Sequence, residues 1–82
     1  RNLKNLRYLY AGRTQISSIE PVAGLVSLRQ LFIQDTKVSD LEPLKNLVNL
    51  EILEIDDCKN ITDSQIEDLK KALPKLKIGS PY

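Results

Sequence analysis

The sequence predicts an α/β solenoid, a coil of short parallel strands stacked side by side with return segments on the opposite side. Three observations carry this expectation. One set of apolar positions recurs at a spacing of 22 residues. Inside each copy, a short inward–outward alternation has the period of a strand. Beyond it, apolar residues recur at every third position, which fits a tight 3₁₀-like path better than a long α-helix.

The first copy holds Leu6, Leu9, Ala11, Thr14, Ile16, Ile19, Pro21, Val22 and Leu25. The second holds Leu28, Leu31, Ile33, Thr36, Val38, Leu41, Pro43, Leu44 and Leu47. Each position keeps its chemical type. A third copy opens on time with Leu50, Leu53, Ile55 and Cys58, then gains a residue, so that Ile61 stands where residue 60 is expected. The fourth register opens at Leu73, Leu76 and Ile78. Two unrelated amphipathic helices with coincident leucines are the competing account, and nine matched positions in consecutive copies weigh against it.

Each element has a local reason. Leu9-Tyr10-Ala11, Leu31-Phe32-Ile33 and Leu53-Glu54-Ile55 alternate as strands of three or four residues. The return path is marked by Ile16, Ile19, Val22 and Leu25, and again by Val38, Leu41, Leu44 and Leu47. Pro21 and Pro43 argue against an ordinary helix through them, since proline removes a backbone donor and clashes with the preceding turn. No copy can bury its own apolar side, so stacking makes the core continuous. Thr14, Thr36 and Cys58 share the position just past the strand, where a hydroxyl or thiol can bond exposed backbone. Cys58 reads as a buried member of this ladder. The rival reading, a reactive thiol, requires exposure and an electropositive setting that the neighbouring sequence does not supply.

The two units LRYLYAGRTQISSIEPVAGLVS and LRQLFIQDTKVSDLEPLKNLVN resemble the leucine-rich repeat family, and within it the short bacterial, internalin-like repeats. The resemblance covers essentially the whole chain. It implies a right-handed superhelix with the parallel strands on its concave face. It also implies a protein-binding scaffold, as most members of the family are. Ala11 departs from the pattern, standing where a larger aliphatic residue is usual, which predicts looser packing of the first unit.

The third unit replaces the Pro-Leu return with another solution. Thr62 and Gln65 form a capping box, Asp63 suits the first turn, and Ile66, Leu69 and Leu73 share one helical face. Lys70 and Lys71 suit the end of the helix, and Pro74 stops it. An α-helix is therefore expected near 63–72, on the outer side. Leu76-Lys77-Ile78 follows as a last strand with lysines that blunt its edge, and Gly79-Ser80-Pro81 ends the regular structure. A similar unit is common at the C-terminal end of such bacterial arrays. Leu3 aligns with Leu25 and Leu47, so the chain opens near the end of an earlier unit. The expected organisation is one domain over 1–82, with a partial unit 1–5, repeats 6–27, 28–49 and 50–72, and a terminal strand unit 73–82. Upstream repeats of a longer array are expected.

Strand residues that do not enter the core should line up in rows on the concave side. One row is Tyr8, Gln30, Ile52 and Lys75, and the next is Tyr10, Phe32, Glu54 and Lys77. Beyond the strands follow Gly12, Gln34 and Asp56, then Arg13, Asp35 and Asp57. Three of the chain's four aromatic residues fall in the first two rows, and exposed aromatics often anchor interfaces. The alternative is that they cover a shallow core or pack on upstream structure. The candidate protein-binding residues are thus Tyr8, Tyr10, Arg13, Gln30, Phe32, Gln34, Asp35, Ile52, Glu54, Asp56 and Asp57.

Charge is uneven. Residues 1–29 carry five basic and one acidic side chain, 30–68 three and ten, and 69–82 four and none, for a net charge of +1. The acidic middle favours a protein partner with basic groups beside an apolar anchor. It disfavours nucleic acid, despite Lys70, Lys71, Lys75 and Lys77. Catalysis is not expected: the chain has no histidine, no nucleophile beside a base and no glycine-rich phosphate loop. Asp35, Asp56 and Asp57 lack the glycine turn and regular oxygen spacing of a calcium loop, so no metal or cofactor is expected. No segment approaches the roughly 20 apolar residues that cross a bilayer. RNLKNLRYL lacks the apolar run of a signal peptide. A single cysteine allows no internal disulfide and leaves the compartment open, with a bacterial surface or secreted setting slightly ahead of a cytoplasmic one. A structural spacer within a larger surface protein is the rival to a binding scaffold.

Overall fold

The computed structural model describes residues 5–79, so the expectations for Leu3, Ser80 and Pro81 lie outside the described residues. Four strands, β1 (Tyr8–Tyr10), β2 (Gln30–Phe32), β3 (Ile52–Glu54) and β4 (Lys77–Gly79), form one parallel sheet in chain order. Leu9 lies opposite Leu31, Leu31 opposite Leu53, and Leu53 opposite Ile78. Two 3₁₀ turns, Glu20–Gly24 and Glu42–Leu44, and one α-helix, α1 (Asp63–Ala72), make the returns. This is the leucine-rich repeat solenoid that the sequence predicts.

The core is a stack of equivalent aliphatic residues. Leu28, Leu31, Ile33, Val38, Leu44, Leu47 and Leu53 have no exposed surface. Truncating one such leucine to alanine costs about 2–5 kcal/mol, because stacked coils cannot close over the void. The first coil is looser. Leu6, Leu9, Ala11 and Ile16 are only partly buried, since a single neighbouring coil covers them among the described residues.

Period three on the return side has a direct cause. Val22 N–H donates to Ile19 O and Leu25 N–H to Val22 O, while Leu44 N–H donates to Leu41 O and Leu47 N–H to Leu44 O. Bonds from i to i−3 bring each third residue to the same side. Pro21 and Pro43 occupy the first positions of these turns, where an amide hydrogen has no partner to lose.

The helix matches the expected bounds, and Thr62 Oγ1 accepts from Gln65 N–H at 3.2 Å. Only half of the capping box forms. Gln65 does not turn back to the Thr62 amide but reaches into the preceding coil. Its Oε1 accepts from Leu41 N–H at 2.9 Å, and its Nε2 donates to Ser39 O at 2.7 Å. Here bonding between coils outcompetes local capping, because it satisfies the amide of the buried Leu41.

The last strand lies one residue later than expected, and its register differs. Lys77 pairs with Ile52 and Gly79 with Glu54, in place of the expected Lys75 and Lys77. Leu76 N–H donates to Leu73 O, as Leu50 does to Leu47 and Leu28 to Leu25. Leu73 and Leu76 thus take the places of Leu47 and Leu50, not of Leu50 and Leu53. An α-helix advances about 1.5 Å per residue and a 3₁₀ turn about 2.0 Å, so a helical return needs more residues to cover the same distance.

Replacing Gln65 by alanine should lower stability by about 1–3 kcal/mol, because the buried Leu41 amide loses its acceptor. Urea unfolding measures this, with a lower midpoint at unchanged slope. A Gln65→Ala chain as stable as the parent would show that the bridge between coils contributes nothing.

Candidate protein-binding surface

The rows on the outward face of the sheet follow from strand register. Tyr8, Gln30, Ile52 and Lys77 form one, and Tyr10, Phe32, Glu54 and Gly79 the next. The ladder runs on past the strands. Ala11 N–H donates to Phe32 O and Arg13 N–H to Gln34 O, and in the following coil Ile33 N–H donates to Glu54 O and Asp35 N–H to Asp56 O. Gly12, Gln34 and Asp56 therefore stand side by side, as do Arg13, Asp35 and Asp57. Of the predicted site residues, Tyr8, Tyr10, Arg13, Asp35 and Asp57 are exposed, while Gln30, Phe32, Gln34, Ile52, Glu54 and Asp56 are partly buried.

The aromatic residues meet as expected from adjacent rungs. The Tyr10 and Phe32 rings stack with centroids 4.4 Å apart and planes within 5° of parallel. This is close to the spacing of neighbouring strands, so backbone register alone brings the rings together. Tyr10 remains 72% exposed and Tyr8 54%. Gln34 leans across Gly12, and the Glu54 carboxylate lies over Gly79, each filling space that a β-carbon would claim.

The acidic residues of this face lack counter-charges among the described residues. Among the described residues, Asp35, Glu54, Asp56 and Asp57 have no cation within ion-pair distance. Asp56 Oδ1 and Gln34 Oε1 are enclosed without a hydrogen-bond partner. The return side differs: Lys45 Nζ is 2.7 Å from Glu42 Oε2. That hydrogen bond holds the Lys45 ammonium above its ordinary pKa. Asp35, Asp56 and Asp57 are not gathered as a metal-ligand group, nor is any other such set among the described residues. Within the same residues no helix is long and apolar enough to cross a membrane.

Beneath the rows lies the polar ladder. Thr14 Oγ1 donates to Ala11 O and Thr36 Oγ1 to Ile33 O, both at 2.8 Å. Cys58 Sγ donates across the coil boundary to the same Ile33 O at 3.0 Å. Thr36 and Cys58 are buried, but Thr14 is exposed, again for want of a covering coil among the described residues.

Two features lie outside the sequence expectations. Arg13, Asp35 and Asp57 adopt left-handed backbone, with φ of 59°, 55° and 61°. Aspartate tolerates this conformation better than most residues, and the pairing of Asp35 with Asp57 was the available signal. Val26 and Val48 are exposed at 52% and 76%. Their repeated position was visible, but it falls outside the inward apolar pattern.

The sequence matches the family profile of leucine-rich repeats in two copies, over residues 4–46 and 26–71. The chain belongs to the leucine-rich repeat family. Internalin C2 of Listeria monocytogenes is 42% identical over 93% of this chain and 32% of its own, with a TM-score of 0.81. Internalin F of the same organism is 38% identical over 87% of this chain and 19% of its own, with a TM-score of 0.67. A leucine-rich repeat protein of Leptospira interrogans is 26% identical over 95% of this chain and 20% of its own, with a TM-score of 0.83. The chain is thus related to bacterial internalin-type repeats and spans a third or less of these structures. No curated protein sequence matches it.

The left-handed turns give a direct test on the leucine-rich repeat backbone. Asp57→Val should cost about 1–2 kcal/mol, since a β-branched residue crowds its own carbonyl there. Asp57→Gly should stay within about 1 kcal/mol of the parent, because glycine adopts that conformation freely. Equal urea midpoints for the two variants would contradict the assigned turn.

Proposed function

We propose that this chain is a protein-interaction scaffold, with the strand face as a concave ligand-binding surface and no catalytic role. The observation that carries the reading is the pairing of an exposed Tyr10 ring stacked on a partly buried Phe32 with carboxylates that have no cation in reach among the described residues. Burying unpaired carboxylates against a neutral partner would be costly, whereas a basic partner recovers that cost and is drawn in over longer range. Tyr8, Gln30 and Ile52 would extend the contact on one side, and Arg13, Gln34, Asp35, Asp56 and Asp57 on the other. Kinship with internalin-type repeats supports both a protein partner and a bacterial surface or secreted setting. Neither a nucleic acid partner nor membrane insertion forms part of the reading.

A spacer role without a ligand is the second reading. It is favoured by the partial burial of Gln30, Phe32, Gln34, Ile52, Glu54 and Asp56, which leaves less of the strand face open to a ligand. In the same reading the chain's repeats continue into further repeats of the same protein. The repeats 6–27 and 28–49 remain the proposed division, whereas the third, expected over 50–72, is proposed to run on to 75, because Leu73 takes the place of Leu47 and Leu76 that of Leu50.

Peptides selected from a phage-displayed library against the immobilised chain provide a ligand for kinetics. Reversing the charge of Asp56 and Asp57 together should slow association on the order of tenfold at low salt. Phe32→Ala should instead speed dissociation by about tenfold or more. Unchanged kinetics in both variants, with a footprint on the return side, would overturn the reading.

A further inference from the structure

We propose that the strand face recognises an arginine side chain of its protein partner, held between the ring of Phe32 and the carboxylate of Glu54; this rests on the reading of that face as a ligand surface. Phe32 and Glu54 are direct neighbours across β2 and β3, yet the Glu54 carboxylate turns away from Phe32. Phe32 stacks on Tyr10 of the preceding strand, while the Glu54 carboxylate lies over Gly79 of the following one. Gln34 leans the opposite way to Glu54, across Gly12 of the preceding coil. The ring stays near β2 and the carboxylate over β4, a separation of roughly two strand spacings, about 9–10 Å. A flat group in that gap can touch the face of Phe32 turned away from Tyr10 and still reach the carboxylate.

The chemistry of the walls selects the occupant. One wall is an aromatic face already backed by a second ring. The other is a carboxylate with no cation in reach among the described residues, although Lys77 lies on the neighbouring rung opposite Ile52. Asp56, two residues beyond Glu54, adds a second carboxylate whose Oδ1 is enclosed and unpartnered. A guanidinium is planar, weakly hydrated and carries a fork of donors, so it can stack and pair at once. An ammonium is a compact, strongly hydrated charge that satisfies the carboxylate but gains less from the ring. Gly79 is the positioning residue, because its missing β-carbon is what lets Glu54 fold away from Phe32.

The test is an NMR titration of the 15N-labelled 82-residue chain with N-acetyl-arginine methylamide and, separately, N-acetyl-lysine methylamide. The arginine probe should shift the amides of Phe32, Glu54, Asp56 and Gly79 and bind about two- to fivefold more tightly than the lysine probe. Phe32→Ala and Glu54→Gln should each erase that preference. So should Gly79→Ala, which moves the carboxylate without touching the buried leucines. Equal response to the two probes, shifts confined to other faces, or a preference that survives Glu54→Gln would overturn the proposal. If the peptides selected above still bind the strand face in that case, only the arginine slot falls. If they bind elsewhere, the proposed function falls with it.

Discussion

A coil of this chain has an apolar interior that its own residues cannot cover. Leu31 is sealed only because Leu9 lies on one side and Leu53 on the other. Backbone donors show the same dependence, since Ala11 and Arg13 past β1, and Ile33 and Asp35 past β2, find acceptors in the next coil rather than in their own. Burial and hydrogen bonding therefore impose one condition together: successive coils must stay in register. Everything on the outward face inherits that register, including the parallel stack of Tyr10 on Phe32.

Much of this was legible in the sequence because the constraint is periodic. Leu9, Leu31 and Leu53 announce the strands, Pro21 and Pro43 the 3₁₀ returns, and Thr62 to Ala72 the helix. Each signal depends on neighbours within a few residues, and each held. What escaped was set between coils. Gln65 carried the mark of a capping box, but no local rule foretells its bonds to Ser39 and Leu41. The fourth rung slipped because counting apolar residues ignores how much chain a helix consumes. That slip moved Lys77 to the place given to Lys75, and brought Gly79 beside Glu54.

The candidate surface shows the same divide. Which residues share a row could be read from spacing alone. The direction in which each side chain leans could not, because it depends on small residues at neighbouring rungs. Gly12 admits Gln34 and Gly79 admits Glu54, so two glycines shape a surface to which they contribute no side chain. The left-handed turns add to this, and at Arg13 and Asp35 the amide bonds onward to the next coil as the chain leaves the sheet. The acidic character of the face follows in part from a backbone that favours aspartate at that turn.

The thiol of Cys58 is bonded to a carbonyl of the preceding coil and is largely buried. It is also the single cysteine in the sequence. Parting of the second and third coils frees it for an alkylating reagent, so its rate of modification responds to how often they part. The molecule carries a built-in clock for its own breathing, placed at the seam directly beneath the face that would meet a partner.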